Sequence, residues 1–140
     1  LANLLRDMGR FEEAEPLFRQ ALEIDQATMG EGHPDYAIDL NNLAGLLRDM
    51  GRFEEAEPLY AQALEIDKAT IGEGHPDYAT DLNNLANLLQ AMGRFEEAAP
   101  LLDQALAILQ ERLGPDHPST KTGIKNREIF RAKWAAARGE

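Results

Sequence analysis

The sequence contains no cysteine, which excludes a disulfide framework, a thiol nucleophile and a thiolate metal site. It also has no apolar run that approaches the ~18 residues of a membrane-spanning helix, so we expect no membrane partner. Serine occurs once, at Ser119. The chain begins at Leu1 with neither methionine nor a charged leader, and we therefore expect a piece of a longer cytoplasmic protein without a readable signal peptide.

Basic residues are few as well. The 140 residues include 14 Lys and Arg against 25 Asp and Glu, so the formal net charge is −11. Nucleic-acid binding needs basic side chains that neutralise phosphates, and we expect no nucleic-acid partner. The charge is unevenly spread, because residues 1–42 and 43–84 each carry −6, residues 85–126 carry −1 and residues 127–140 carry +2.

Internal repetition is the main positive feature. Blocks of 42 residues align Leu1 with Leu43 and Leu85; the first two blocks agree at 36 of 42 positions and the next two at 22 of 42. Every block contains "MGRFEEA" and, near its end, "HP". Such a period predicts a repeat array. The predicted divisions are a partial first repeat (1–32), a second repeat (33–74), a third repeat (75–116) and a capping helix (117–140).

Each block is predicted to form two helices. Gly51 and Gly93 end the first helices, because glycine tolerates the left-handed backbone that follows a helix, and Pro34 and Pro76 suit first turns. No stretch alternates with a strand period, so we expect no sheet. The predicted helices span 1–8, 11–29, 34–50, 53–71, 76–92, 95–113 and 118–138.

The apolar faces of these helices require neighbours. Leu40, Leu43 and Leu47 share one arc of a helical wheel at about 100° per residue. A single helix pair leaves apolar surface open on both flanks, which stacked repeats must cover. The sequence therefore predicts an α-solenoid.

The motif residues resemble the tetratricopeptide repeat, whose pattern begins W-x2-L-G-x2-Y and continues A-x3-F. The matching positions here are Leu40, Leu43, Ala44, Leu47, Ala56 and Tyr60. The 42-residue period with "LNNLA", "GRFEEAEPL" and "GEGHPDYA" is similar to the kinesin-light-chain type of this repeat, which bacterial proteins also carry. The resemblance implies an all-α, right-handed α-solenoid of antiparallel helix pairs.

The last helix departs from the repeat on one flank. Phe130 and Trp134 stay apolar, whereas Arg127, Glu128 and Arg131 replace Leu43, Ala44 and Leu47. An array ends on a helix with a polar outer face. We expect residues 117–140 to form a C-terminal capping helix.

Catalytic and metal-binding residues are not apparent. His33, His75 and His117 recur every 42 residues, which places them on the order of 10 Å apart in a stacked array, too far to share a metal ion at about 2 Å. We expect a structural role for them at the turns. The pair Glu54 and Glu55 complements the positive start of a helix. We expect no metal, no cofactor and no enzymatic activity.

The resemblance further implies a concave groove lined by the first helix of each repeat. On the wheel, Ile38, Gly45 and Asp49 lie opposite the core, and the face is amide-rich, with positive points at Arg6, Arg48 and Lys125. The predicted groove residues are Asn41, Asn42, Arg48, Asn83, Asn84, Asn87, Lys125 and Asn126. In peptide-binding relatives, an asparagine equivalent to Asn42, Asn84 and Asn126 hydrogen-bonds the ligand main chain. Alternatively, one asparagine of each pair ties its own helix to a neighbouring backbone.

These features predict a non-catalytic scaffold that binds an extended peptide or a partner segment in its groove. Two alternatives remain at this point. The uncapped N-terminal edge could stack chains end to end into a homo-oligomer, or the array could be the regulatory arm of a larger enzyme.

Overall fold

The computed structural model describes residues 1–139, and in that range it contains helices and no strand. Every predicted helix is present, with both ends within one residue of the prediction. The helices are α1 (Ala2–Asp7), α2 (Phe11–Met29), α3 (Pro34–Asp49), α4 (Phe53–Thr70), α5 (Pro76–Ala91), α6 (Phe95–Leu113) and α7 (Pro118–Ala137).

The turns between helices form at the repeated sequence motifs "MGR" and "HP". Gly51 has φ +77, a left-handed conformation that only glycine adopts without strain. Its N–H donates to the Arg48 carbonyl at 2.9 Å, and the Arg52 N–H donates to the Leu47 carbonyl at 2.8 Å. These bonds satisfy carbonyls at the end of α3, so the chain reverses in three residues and α4 packs against α3.

The chain forms two compact units, which are described separately. Unit 1 (Leu1–Gly72) contains α1 to α4, with α2 packed on α1 and α3, and α3 packed on α4. Burial of apolar side chains is the main stabilising contribution here. One core cluster of unit 1 consists of Tyr36, Ala37, Leu40, Ala63 and Ile66, with Leu22 and Leu59 packed against it.

Unit 2 begins at Glu73 and contains α5, α6 and α7. Its core cluster consists of Ala86, Leu89, Ala98, Leu102 and Phe130, and the partly buried Phe95 and Trp134 pack against it. The ring centroids of Phe95 and Trp134 are 6.4 Å apart in a stacked arrangement, and Phe130 lies 5.8 Å from each of them.

Helix α7 shows the two flanks that the sequence predicts for a cap. Phe130 is buried in the unit 2 core, whereas Glu128 and Arg131 are exposed. Arg127 is half-buried, and its Nη1 lies 3.7 Å from Asp103 Oδ1.

Gly45 does not lie open on the groove face, as the wheel predicts; it is buried. The guanidinium of Arg6 covers it, since a Cβ built on Gly45 would lie 2.8 Å from Arg6 Nη2. A wheel of one helix cannot show this, because the covering side chain comes from the neighbouring helix α1.

Candidate functional site

The candidate site is a cavity of about 460 Å³ within unit 2. Helices α5 and α7 form its walls, and the C-terminal half of α6 forms its floor. Its volume is within the range of small-ligand and peptide side-chain pockets. The lining residues are Pro76, Asp77, Thr80, Asn83, Leu109, Leu113, Pro118, Ser119, Thr122, Gly123 and Asn126.

Two of the predicted asparagines line this cavity. Asn83 is half-buried on α5 and Asn126 is exposed on α7. Within residues 1–139, neither side chain is hydrogen-bonded to another residue. A carboxamide offers two donors and two acceptors, so both remain available to a ligand.

The cavity pairs Asn126 with Asn83, whereas the sequence pairs it with the equivalent Asn84. Asn84 is half-buried on α5 and does not line the cavity. Equivalent side chains on the first helices of successive repeats point in the same direction. The flank of α5 that faces α7 is therefore not equivalent to the flank of α7 that faces α5, and non-equivalent asparagines line the cavity from the two sides. Asn87 on α5 and Lys125 on α7 are exposed and also lie outside the cavity.

The floor of the cavity is apolar. Leu109 and Leu113 of α6 reach it beside Gly123 of α7. A Cβ on Gly123 would lie 3.2 Å from Leu106 Cδ1 and 3.5 Å from Leu109 Cδ1. Because Gly123 has no side chain, Leu106 and Leu109 of α6 can pack directly against the backbone of α7.

The predicted groove residues do not include Leu109 and Leu113, because the groove was assigned to the first helix of each repeat and these leucines belong to the second helix, α6. The sequence does contain a signal for this apolar floor. The equivalent positions 25, 67 and 109 in the three blocks hold aspartate, aspartate and leucine. Positions 39 and 81 are likewise aspartate where 123 is glycine. The third 42-residue block (85–126) thus changes two aspartate positions together, and in unit 2 the two changed residues lie side by side.

The corresponding face of unit 1 is polar and internally paired. Arg6 Nε donates to Asp49 Oδ2 at 2.7 Å, and Arg48 Nη2 lies 3.5 Å from Asp49 Oδ1. The two positive points predicted there therefore share one carboxylate. Asn41 and Asn42 are half-buried on α3, as Asn83 is on α5.

The three histidines are helix caps, which confirms the predicted structural role. Nδ1 of His33, His75 and His117 accepts a hydrogen bond from the backbone N–H two residues later, at 3.0–3.1 Å. Among residues 1–139, no cluster of three His, Asp or Glu side chains could hold a metal ion.

The paired glutamates at the helix starts are held by arginines. Arg52 donates to both oxygens of Glu55, at 2.5 and 2.9 Å, and Arg94 pairs with Glu97 at 2.6 and 2.8 Å. The hydrogen bond from the arginine lowers the pKa of Glu55 and of Glu97. A carboxyl with a lowered pKa stays ionised and suits ion pairing rather than proton transfer at neutral pH.

No helix in the described part of the chain has the length and apolar character of a membrane span. A search of curated protein sequences finds no match.

Solved structures with kinesin-light-chain repeats are similar to this chain. A Podosopora anserina protein, described as a kinesin light chain with nearly identical TPR-like repeats, superposes with a TM-score of 0.86 at 28% identity; the match covers 94% of this chain and 63% of that one. BtubC (BKLC) from P. vanneervenii gives 0.84 at 27% identity, over 99% of this chain and 56% of that one. The chain therefore spans about 56–63% of the length of these two proteins.

These superpositions confirm the predicted all-α solenoid class. The tetratricopeptide repeat family matches residues 1–69, 40–111 and 77–126. Together these matches run from the first residue to residue 126, across all three blocks of the repeat. The chain belongs to the tetratricopeptide repeat family.

Proposed function

We propose that this chain is a non-catalytic scaffold that binds an extended peptide segment of a protein partner, with the cavity between α5 and α7 as its main contact. Tetratricopeptide repeats in general mediate protein–protein interaction. One observation carries the finer proposal: Asn83 and Asn126 present unoccupied carboxamides on opposite walls of an apolar-floored cavity.

The recognition chemistry follows from this arrangement. Carboxamides from two walls pair with the N–H and C=O groups of an extended main chain, which gives affinity without selecting sequence. Selectivity comes from the floor, where Leu109 and Leu113 would exclude a charged ligand side chain because its desolvation is costly. An apolar ligand residue is therefore favoured at this position.

Basic side chains contribute unequally. Lys125 is exposed on α7, next to the cavity residue Asn126, so its ammonium group is available to an acidic ligand residue. Arg48 already shares Asp49 with Arg6. Recruiting Arg48 to a ligand would cost part of that interaction, and Lys125 is the stronger of the two candidates.

The proposal is tested by selecting binders from a library of random twelve-residue peptides and mapping the best one by amide chemical shifts. We expect the largest shifts in α5 and α7, around Asn83 and Asn126. Shifts confined to the outer residues of α6, such as Gln104, would contradict the assignment of the groove.

A second candidate is end-to-end association with another copy. Leu1, Leu4 and Met8 are 82%, 58% and 58% exposed, although the equivalent Leu43 and Leu46 are buried. Light scattering across a salt series separates the candidates. Association of the acidic N-terminal end of one copy with the basic C-terminal end of another would be screened by salt, so the average molecular mass should fall as the salt concentration rises. A constant monomer mass at low salt would remove this candidate.

A further inference from the structure

Arg52 makes two separate sets of hydrogen bonds at the start of α4. Its Nε and Nη2 donate to the carboxylate of Glu55 on the same helix, and its Nη1 donates to Glu15 Oε1 on α2. The first set stays within one repeat, whereas the second joins the turn before α4 to the preceding second helix. One guanidinium can make both sets because its five N–H donors lie on different edges.

Arg10 occupies the equivalent position in the first block and makes only the first set. Its Nε and Nη2 donate to Glu13, and within residues 1–139 its Nη1 donates to no other residue. The Arg10 side chain is 49% exposed, against 34% for Arg52. A further carboxylate can therefore bind Arg10 without displacing Glu13, as Glu15 binds Arg52 without displacing Glu55.

Helix α1 also lacks a neighbour that α3 has. Helix α3 packs between α2 and α4, whereas the main neighbour of α1 is α2. Leu46 of α3 and Leu88 of α5 are 0% exposed, but the equivalent Leu4 of α1 is 58% exposed. Met8, one turn after Leu4, is 58% exposed as well. Unit 1 therefore has an uncovered apolar strip on α1, which ends two residues before Arg10.

The α2–α3 interface shows which kind of helix covers such a strip. Helix α2 packs against α3 and presents the half-buried Glu15 to Arg52. Leu22 follows Glu15 by seven residues, about two turns of helix, and packs against the core cluster that contains Leu40 of α3. The covering helix thus has a glutamate and an apolar residue on one face.

No second helix of this chain has that glutamate available to another copy. Glu15 is bonded to Arg52 and Arg19. Glu57, its equivalent on α4, also has a partner in the described chain. The third block has Ala99 at this position, so α6 offers no carboxylate there.

The outer flank of α7 is no better suited to the strip. It would bring the exposed Glu128 and Arg131 against the apolar side chain of Leu4, where the loss of their hydration is costly. A second copy of the chain is therefore a poor occupant, which weighs against end-to-end association.

We propose that the α1 edge, formed by Leu1, Leu4, Met8 and Arg10, is a docking site for an amphipathic helix of a protein partner that carries a glutamate on its apolar face. The glutamate accepts a hydrogen bond from Arg10 Nη1, and the apolar side chains cover Leu4 and Met8. The α1 edge lies in unit 1 and uses no residue of the unit 2 cavity, so this inference does not depend on peptide binding there.

The probe is a labelled synthetic peptide that copies α2 (Phe11–Met29), and fluorescence anisotropy measures its binding to the unmodified chain. The same peptide with Glu15→Ala should bind about fivefold more weakly, because it lacks the carboxylate for Arg10. The peptide with Glu23→Ala is the matched control. Glu23 is exposed on α2, so its replacement should leave the affinity unchanged.

Two variants of the chain assign the contact. Arg10→Ala should bind the original and the Glu15→Ala peptides equally, because both complexes then lack the same bond. Leu4→Asp places a charge in the apolar strip and should weaken binding at least about tenfold. Both replaced side chains are exposed, so circular dichroism should show an unchanged fold. Asn83→Ala with Asn126→Ala should bind this peptide as the unmodified chain does.

Sedimentation velocity of the chain alone tests the other occupant, and we expect a monomer. A dimer that Leu4→Asp abolishes would show that a second copy covers the α1 edge, and this would overturn the proposal. It would be overturned equally by a peptide that does not bind, or by equal binding of the original and the Glu15→Ala peptides to the unmodified chain.

Discussion

Arg52 Nη1 donates to Glu15 Oε1 at 2.7 Å, across 37 positions of the chain. Arg52 lies in the turn that follows α3, and Glu15 lies on α2, so the bond joins one repeat to the next within unit 1. Glu15 also pairs with Arg19 at 2.9 Å. The hydrogen bond from Arg52 is the main cause of the lowered pKa of Glu15.

Arg52→Ala is expected to lower the free energy of unfolding more than Arg10→Ala does, because Arg52 bonds the half-buried Glu15 in addition to its own helix-start glutamate. Arg10 is the matched control, since it occupies the equivalent position and pairs with Glu13 in the way that Arg52 pairs with Glu55. Urea denaturation measures both. Equal losses in the two variants would show that Glu15 adds nothing.

His75→Ala should destabilise unit 2 by about 1 kcal/mol, since α5 loses the acceptor for the Asp77 N–H. His75→Asn should recover most of this loss, because asparagine is a good N-cap residue. Thermal unfolding followed by circular dichroism measures the series. Failure of asparagine to rescue would show that the imidazole has a role other than capping.

Phe130→Ala should cost about 3 kcal/mol, because it removes a buried ring that lies against Phe95 and Trp134. Arg131→Ala changes the exposed neighbour and should fall within about 0.5 kcal/mol of the unmodified protein. Denaturant unfolding monitored by Trp134 fluorescence reports directly on this cluster. A small loss at Phe130 would mean that α7 does not stabilise the core of unit 2.

The helices could be predicted from the sequence because their boundaries depend on local residues. Gly51 ends α3 through its own backbone conformation, and His33 and Pro34 begin it through a cap and a fixed φ. None of these effects requires knowledge of a distant contact. Because the same sequence motifs recur in each block, the predicted helix boundaries are the same in every repeat.

The site was less predictable because it depends on which flanks of two helices meet. The repeat aligns Asn84 with Asn126, yet the cavity contains Asn83 with Asn126. Gly45 was placed on the open face because the wheel of α3 contains no information about Arg6.

The measurement that tests the central claim most directly is the affinity of a selected peptide for the variant with both Asn83→Ala and Asn126→Ala. Calorimetry should show at least about tenfold weaker binding, because the variant lacks the two side-chain carboxamides that would hydrogen-bond the main chain of the peptide. The midpoint of thermal unfolding should shift little, because neither amide is bonded within the described chain. Gln104→Ala, on the exposed side of α6, should bind as the unmodified protein does. Unchanged affinity in the double variant would contradict the assignment of this cavity as the peptide site.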